Sequence, residues 1–181
     1  MDTHQDYIPV PEVFWSFETG KPIAHCKLCG CDLLKPGTNY LIEKAFKNGE
    51  TIFEHALCLS CYTQCHESMS EDSRIRIRDY FSARIDMDAR QEKNMASYGT
   101  KYEKWISHCM VKGFPIREVD EYQLYGFCID EDLIFSGAPY VICGDVIEEI
   151  LELLSAETLG VMSDLSQKLF GIDAPRDLLV F

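Results

Sequence analysis

The rhythm of apolar positions changes three times along the chain. Two short β-type runs come first, Asn39 to Phe46 and Thr51 to Ala56, joined at Lys47-Asn48-Gly49-Glu50. Asn-Gly between such runs predicts a hairpin with a tight turn. Leu59 to Met69 follows as a helical stretch. Ser68 stands three residues before Glu71, the spacing of a capping box. Beyond it, Asp72 to Asn94 holds neither Gly nor Pro, and Ile77, Phe81 and Ile85 recur every fourth residue. That spacing predicts one long amphipathic helix. A second helix is expected to run on to Lys112, burying Tyr102, Trp105, Ile106, Cys109 and Met110. Gly113 would cap it, and Pro115 would prevent continuation.

The last third returns to strand patterns. Glu121 to Ile129 and Leu133 to Phe135 read as strands around the turn Asp130-Glu131-Asp132. Ala138 to Cys143 is apolar almost throughout, as in a strand covered on both faces. Asp145 and Glu148 form a capping pair for a helix reaching Leu154. Ser155 caps another, with Leu159, Met162, Leu165 and Leu169 in one stripe and Gly171 at its end. Ile172 to Phe181 is expected to be a short tail. The predicted class is α+β: residues 1–68 as one module, 69–118 as a helical connector, and 119–181 as a small sheet covered by helices on one side.

Composition narrows this picture. The chain has 181 residues, 46% of them hydrophobic, enough for a packed core. Its formal net charge of −13 is uneven. Residues 1–68 carry five Lys/Arg against nine Asp/Glu, residues 69–118 ten against eight, and residues 119–181 two against thirteen. An acidic C-terminal third repels phosphate backbones and anionic lipid, so nucleic acid is not the expected partner. Arg74, Arg76, Arg78, Arg84 and Arg90 are interleaved with acids and read as a solvated helix face with i,i+4 pairs. No segment approaches the length of a membrane span. Met1 to Val10 is polar, without the apolar core of a secretory signal. A reducing, cytoplasmic compartment is expected, where paired cysteines serve as metal ligands more often than as disulfides.

Nine cysteines then become the informative residues. Four of them make two CxxC pairs, Cys26/Cys29 and Cys58/Cys61, spaced C-x2-C-x28-C-x2-C. Four thiolates at this spacing predict a closed, tetrahedral, structural zinc site. The order of a Cys26-Lys27-Leu28-Cys29-Gly30 knuckle, a hairpin, and a helix opened by the second pair resembles a treble-clef zinc finger over residues 22–68. That resemblance implies Cys26, Cys29, Cys58 and Cys61 as the ligands. The order Cys26, Cys29, His55, Cys58 is also similar to the first half of a LIM domain, but no later pair supplies the second metal site. His55 is the one alternative ligand; His25, Cys31, Cys65 and His66 are neighbours, with Cys65 a packed thiol. An iron–sulfur cluster is the competing use of so many cysteines.

Other chemistry is thin. Cys143, between a strand and a helix start, is the best nucleophile candidate, with His108 as its base. Asp130, Glu131 and Asp132 could hold a cation but lack the glycine and spacing of a calcium loop. No phosphate loop, HExxH or GxSxG occurs. Phe14 and Phe17 are expected to close over the zinc module as a lid. The leading expectation is a non-enzymatic, zinc-stabilised protein-binding or regulatory protein. An enzyme with its site in residues 119–181 is the alternative, and a thiol-based redox sensor a further one.

Overall fold

A computed structural model describes residues 6–171. Among them the chain is α+β, with six α-helices and one six-stranded antiparallel sheet. Strand β1 (Tyr7–Pro9) precedes the hairpin of β2 (Asn39–Lys47) and β3 (Glu50–Cys58). Helices α1 (Leu59–Ser68), α2 (Glu71–Ser82), α3 (Met87–Tyr98) and α4 (Tyr102–Trp105) follow. Then come β4 (Glu121–Ile129), β5 (Asp132–Ile134), β6 (Tyr140–Cys143), α5 (Gly144–Leu153) and α6 (Ala156–Phe170).

The hairpin forms where Asn-Gly marks it. Asn48 and Gly49 both take positive φ, 51° and 82°, the combination a two-residue turn needs to match strand twist. What the sequence does not announce is the partner of β2. Its other edge pairs with β4 along all nine residues, from Asn39↔Ile129 to Lys47↔Glu121. The hairpin and the C-terminal strands therefore share one sheet, in the order β3-β2-β4-β5-β1, with β6 on β4 beside β5.

The two faces of that sheet are covered differently. On one, a 3₁₀ turn at Glu12–Phe14 sets the fully buried Phe14 against Gly126, where a Cβ would stand 2.6 Å from the ring. Only glycine leaves room for this approach. The Lys44 ammonium donates to the Trp15 carbonyl (2.6 Å) and pairs with Glu54 (3.0 Å), which also accepts from Ser16 Oγ and the Phe17 N–H. Phe14 is thus buried, but its close contact is with β4 at Gly126 rather than as a lid on the cysteine module, and Phe17 is 73% exposed. The other face carries helices. Tyr125 and Ile142 join Val146, Ile147 and Ile150 of α5 and Met162 and Leu169 of α6 in one apolar cluster, with Ile77 and Tyr80 of α2.

The middle of the chain departs from expectation. The single helix over 72–94 is two, broken between Ser82 and Met87, because Asp86 caps α3 by accepting from the Ala89 N–H at 2.9 Å. The cap of α2 is Ser70 rather than Ser68. Ser70 and Ser155, the caps of α2 and α6, are hydrogen-bonded to each other at 2.9 Å, and the buried Ser73 and Thr158 complete the cluster. The helix expected to reach Lys112 stops at Trp105. Beyond it, His108 and Cys109 make isolated bridges to Pro115 and Val141. Helix α5 starts without a side-chain cap, on Cys143 rather than Asp145. Gly171, in the left-handed region, ends α6 as expected; the tail from Ile172 lies outside the described residues.

Candidate metal centre

The first cysteine pair sits on a knuckle built by backbone hydrogen bonds. The Cys26 N–H donates to the Cys31 carbonyl (2.9 Å), the Gly30 N–H to the Cys26 carbonyl (2.8 Å), and the Leu33 N–H to the Ala24 carbonyl (2.8 Å). Gly30 supplies the positive φ of 72° at the tip. A further bond, Lys27 N–H to the Ala56 carbonyl (2.9 Å), fastens the knuckle to β3. The second pair sits where β3 turns into α1: Cys58 is the last residue of the strand, and Cys61 lies in the first helical turn.

These elements converge on four sulfurs. The Sγ atoms of Cys26, Cys29, Cys58 and Cys61 all lie within 4.8 Å of one another. Cys29 Sγ and Cys58 Sγ are 3.8 Å apart. A tetrahedron with Zn–S bonds of about 2.3 Å has edges of about 3.8 Å. A disulfide, by contrast, would bring two sulfurs to about 2.05 Å. The Cys58 N–H points at Cys26 Sγ from 3.4 Å, a hydrogen bond that stabilises negative charge on sulfur. Cys26, Cys58 and Cys61 are buried and belong to the same apolar cluster as Phe14, Tyr40 and Leu124, while Cys29 is exposed.

The protein groups alone leave the thiols unevenly poised. The Cys31 backbone N–H, followed by its side chain, lowers the Cys29 thiol to about 6. Burial pushes Cys61 up, and its sulfur neighbours add to that. A divalent cation at the centre would reverse the latter balance, because ligating thiols deprotonate outright. Four convergent soft donors, mutually within 4.8 Å and partly withdrawn from water, fit a metal ion of this kind.

The remaining candidates lie outside the four-sulfur group, although Cys31 stands against it, its thiol raised by its contacts with Cys29 and Cys58 and by burial. Among the described residues His55, His25, His66, Cys31 and Cys65 are not members of the four-sulfur group. His55 lies on the helix-covered face, its Nε2 3.5 Å from Glu43 Oε2 and its ring near Phe53 and Phe170. Cys65 is half-buried on α1, and burial raises its thiol. Asp130 is a turn residue with φ of 57°, its Oδ1 accepting from the Gly37 and Thr38 N–H groups at 2.6 and 3.1 Å. Cys143 is buried, accompanied by Cys109, and burial pushes its thiol up to about 11, away from nucleophilic activation. His108 bonds its neighbour Ser107 at 2.8 Å, and no hydrogen bond joins it to Cys143 among the described residues.

Two features lie beyond what sequence reasoning found. One is a buried polar row across four strands, His55–Glu43–Tyr125–Tyr140, set by the strand registers. Tyr125 donates to Gln123 Oε1 at 2.6 Å, and Tyr62 of α1 closes a cavity of about 10 Å³ over the row. The strand segments are legible in sequence, but not which of their faces the helices cover. The other is Arg90, expected on a solvated face. Its guanidinium turns inward to the carbonyls of Gly137, Trp105 and Pro139. Asp72–Arg76, an i,i+4 pair at 2.7 Å, does match that expectation.

Comparison of the chain with protein-family models, with curated proteins and with solved structures returns no match. No helix among the described residues is long and apolar enough to cross a membrane.

Proposed function

We propose that the protein is a non-enzymatic, zinc-stabilised binding protein of a reducing compartment, in which Cys26, Cys29, Cys58 and Cys61 hold one structural Zn²⁺. The observation that carries this reading is the mutual approach of the four sulfurs within 4.8 Å, with one edge at the length a tetrathiolate tetrahedron requires. Four protein ligands leave no open position for a water or substrate, so the ion's work is to order the chain. It ties the knuckle, whose own apolar residues are few, to the end of β3 and the start of α1. Knuckle, hairpin and helix in this order support a treble-clef-type module, here extended through β4 into a larger sheet. Such metal binding contributes folding free energy on the order of 10 kcal/mol at neutral pH. A protein partner is the reading left when the acidic surface disfavours nucleic acid and anionic lipid.

Metal analysis of the purified protein tests the centre. About one zinc per chain is expected, with no iron absorbance, and chelation at neutral pH should unfold the N-terminal half. Serine at any of the four positions should abolish stoichiometric zinc, whereas Cys31→Ser and Cys65→Ser should keep it. Four serine variants that fold and bind zinc like the parent would refute the assignment.

A further inference from the structure

One concavity of the described residues is remote in composition from the rest of this acidic molecule. It is a groove of about 1040 Å³ between α3 and the segment from Glu103 to Arg117. Five cationic side chains line it, Arg84, Arg90, Lys93, Lys104 and Arg117, against two carboxylates, Asp86 and Glu103. The whole chain carries 17 Lys/Arg against 30 Asp/Glu, so the groove inverts the sign of its surroundings.

The cations are not equivalent. Arg90 is consumed by the fold through its three carbonyl acceptors and its place over the Trp105 ring, 5.5 Å from the centroid. Arg84 lies over Tyr80 and donates to the Tyr80 carbonyl at 3.0 Å. Arg117 reaches only the neighbouring Glu118, at 3.5 Å, with both side chains well exposed. Lys93 and Lys104, from opposite walls, make no ion pair or hydrogen bond through their side chains among the described residues. The groove also exposes apolar material: Ile106, Met110 and Ile116 are each half-buried. Helix α3 itself has no buried residue, although it is twelve residues long. A helix that contributes nothing fully buried, beside unpaired cations and half-covered aliphatic side chains, presents a surface made for a charged occupant with apolar side chains of its own.

We propose that this groove binds an acidic peptide segment of a partner protein, its carboxylates pairing with Lys93, Lys104 and Arg117 and its apolar residues meeting Ile106, Met110 and Ile116. This rests on the binding-protein reading above and gives it a surface and a chemistry. Charge complementarity chooses the occupant. The net charge of −13 disfavours a nucleic acid, whose phosphates would meet repulsion beyond the groove, while a short peptide fits within it. Screening over a Debye length of about 10 Å at 0.1 M salt makes the attraction local to the groove.

The test uses the full chain with its metal. A fluorescein-labelled twelve-residue peptide of repeating Glu-Glu-Leu is titrated and read by fluorescence anisotropy. A Gln-Gln-Leu peptide and a twelve-nucleotide oligothymidine serve as comparisons. Saturable binding of the acidic peptide is expected, weakening at least fivefold between 50 and 300 mM salt, with the Gln peptide at least tenfold weaker. The double variant Lys93→Glu/Lys104→Glu should lose at least tenfold in affinity while keeping one zinc per chain and the parent's thermal midpoint. Lys35→Glu, an exposed reversal on the loop before β2, should change affinity less than twofold. Equal losses in the two reversals, no binding by zinc-loaded parent protein, or preference for the oligonucleotide would each overturn the proposal. Those outcomes leave the zinc assignment standing, because zinc content is measured on the same samples.

Discussion

Replacing Gly126 by alanine is expected to destabilise the protein through one identifiable contact. The added methyl would stand 2.6 Å from Cε1 and 3.0 Å from Cδ1 of Phe14, and 3.1 Å from a Leu133 methyl. Carbon atoms in contact prefer about 3.5–4.0 Å, so roughly 1 Å must be found by moving the ring or the strand. The ring is fully buried, and its neighbours Trp15 and Ser16 are held by Lys44 and Glu54, so it cannot simply swing away. β4 is paired on both edges and cannot recede freely. Overpacking of this kind costs about 1–3 kcal/mol, net of the small gain from replacing glycine in a strand. Phe14→Leu alone should cost about 1–2 kcal/mol through lost buried area and a small cavity. In the Phe14→Leu background the closest atom, Cε1, is gone while the Leu133 contact stays, so Gly126→Ala should cost less by about 1 kcal/mol or more than it does in the parent. Urea unfolding followed by circular dichroism, on zinc-loaded protein, gives the four free energies of the cycle. A double variant whose loss equals the sum of the two single losses, within about 0.5 kcal/mol, would show that ring and glycine do not meet.

Three further expectations follow from other sites. Ser155→Ala removes the cap of α6 and a partner of the α2 cap, so it should cost about 1–2 kcal/mol and couple to Ser70→Ala in a double-mutant cycle of unfolding free energies. Arg90→Lys keeps the charge but cannot reach three carbonyls with a planar fork; thermal denaturation should show a loss of about 1–3 kcal/mol, whereas Arg76→Lys on the exposed face should stay within about 0.5 kcal/mol. Burial, with the Lys27 charge adding to it, lowers His55 from 6.5 to about 4. The unfolded chain then binds the extra proton first, so His55 withdraws stability as pH falls from about 6.5 towards 4 and withdraws none above that window. The difference in unfolding free energy between parent and His55→Phe, measured across pH 4.5–7.5, should therefore change in this direction; a pH-independent difference would contradict a neutral buried imidazole.

Local signals carried much of this fold. Asn48-Gly49 announced the hairpin, Ser155 and Gly171 bounded α6, and the two CxxC pairs named four sulfurs that the chain brings together. What stayed hidden was decided by distant partners. Nothing in Asn39 to Lys47 says that Glu121 to Ile129 will lie beside it, because strand pairing is fixed by tertiary packing rather than by period. The break at Ala83–Asp86 was hidden because an acid that caps a helix looks, in sequence, like an acid on its surface. Residues after Trp105 have apolar spacing compatible with a helix, yet Cys109 is claimed by the edge of β6. Arg90 could not be told from its solvated neighbours, since its acceptors are carbonyls from residues 105, 137 and 139.

The pairing of β2 with β4 also constrains how a ribosome can deliver this molecule. The emerging hairpin, even with its thiolates already closed on a metal, must display the open amide and carbonyl groups along one whole edge of β2 until a segment some eighty positions downstream has been synthesised. Fragments ending before residue 121 should therefore self-associate edge to edge even when fully metallated.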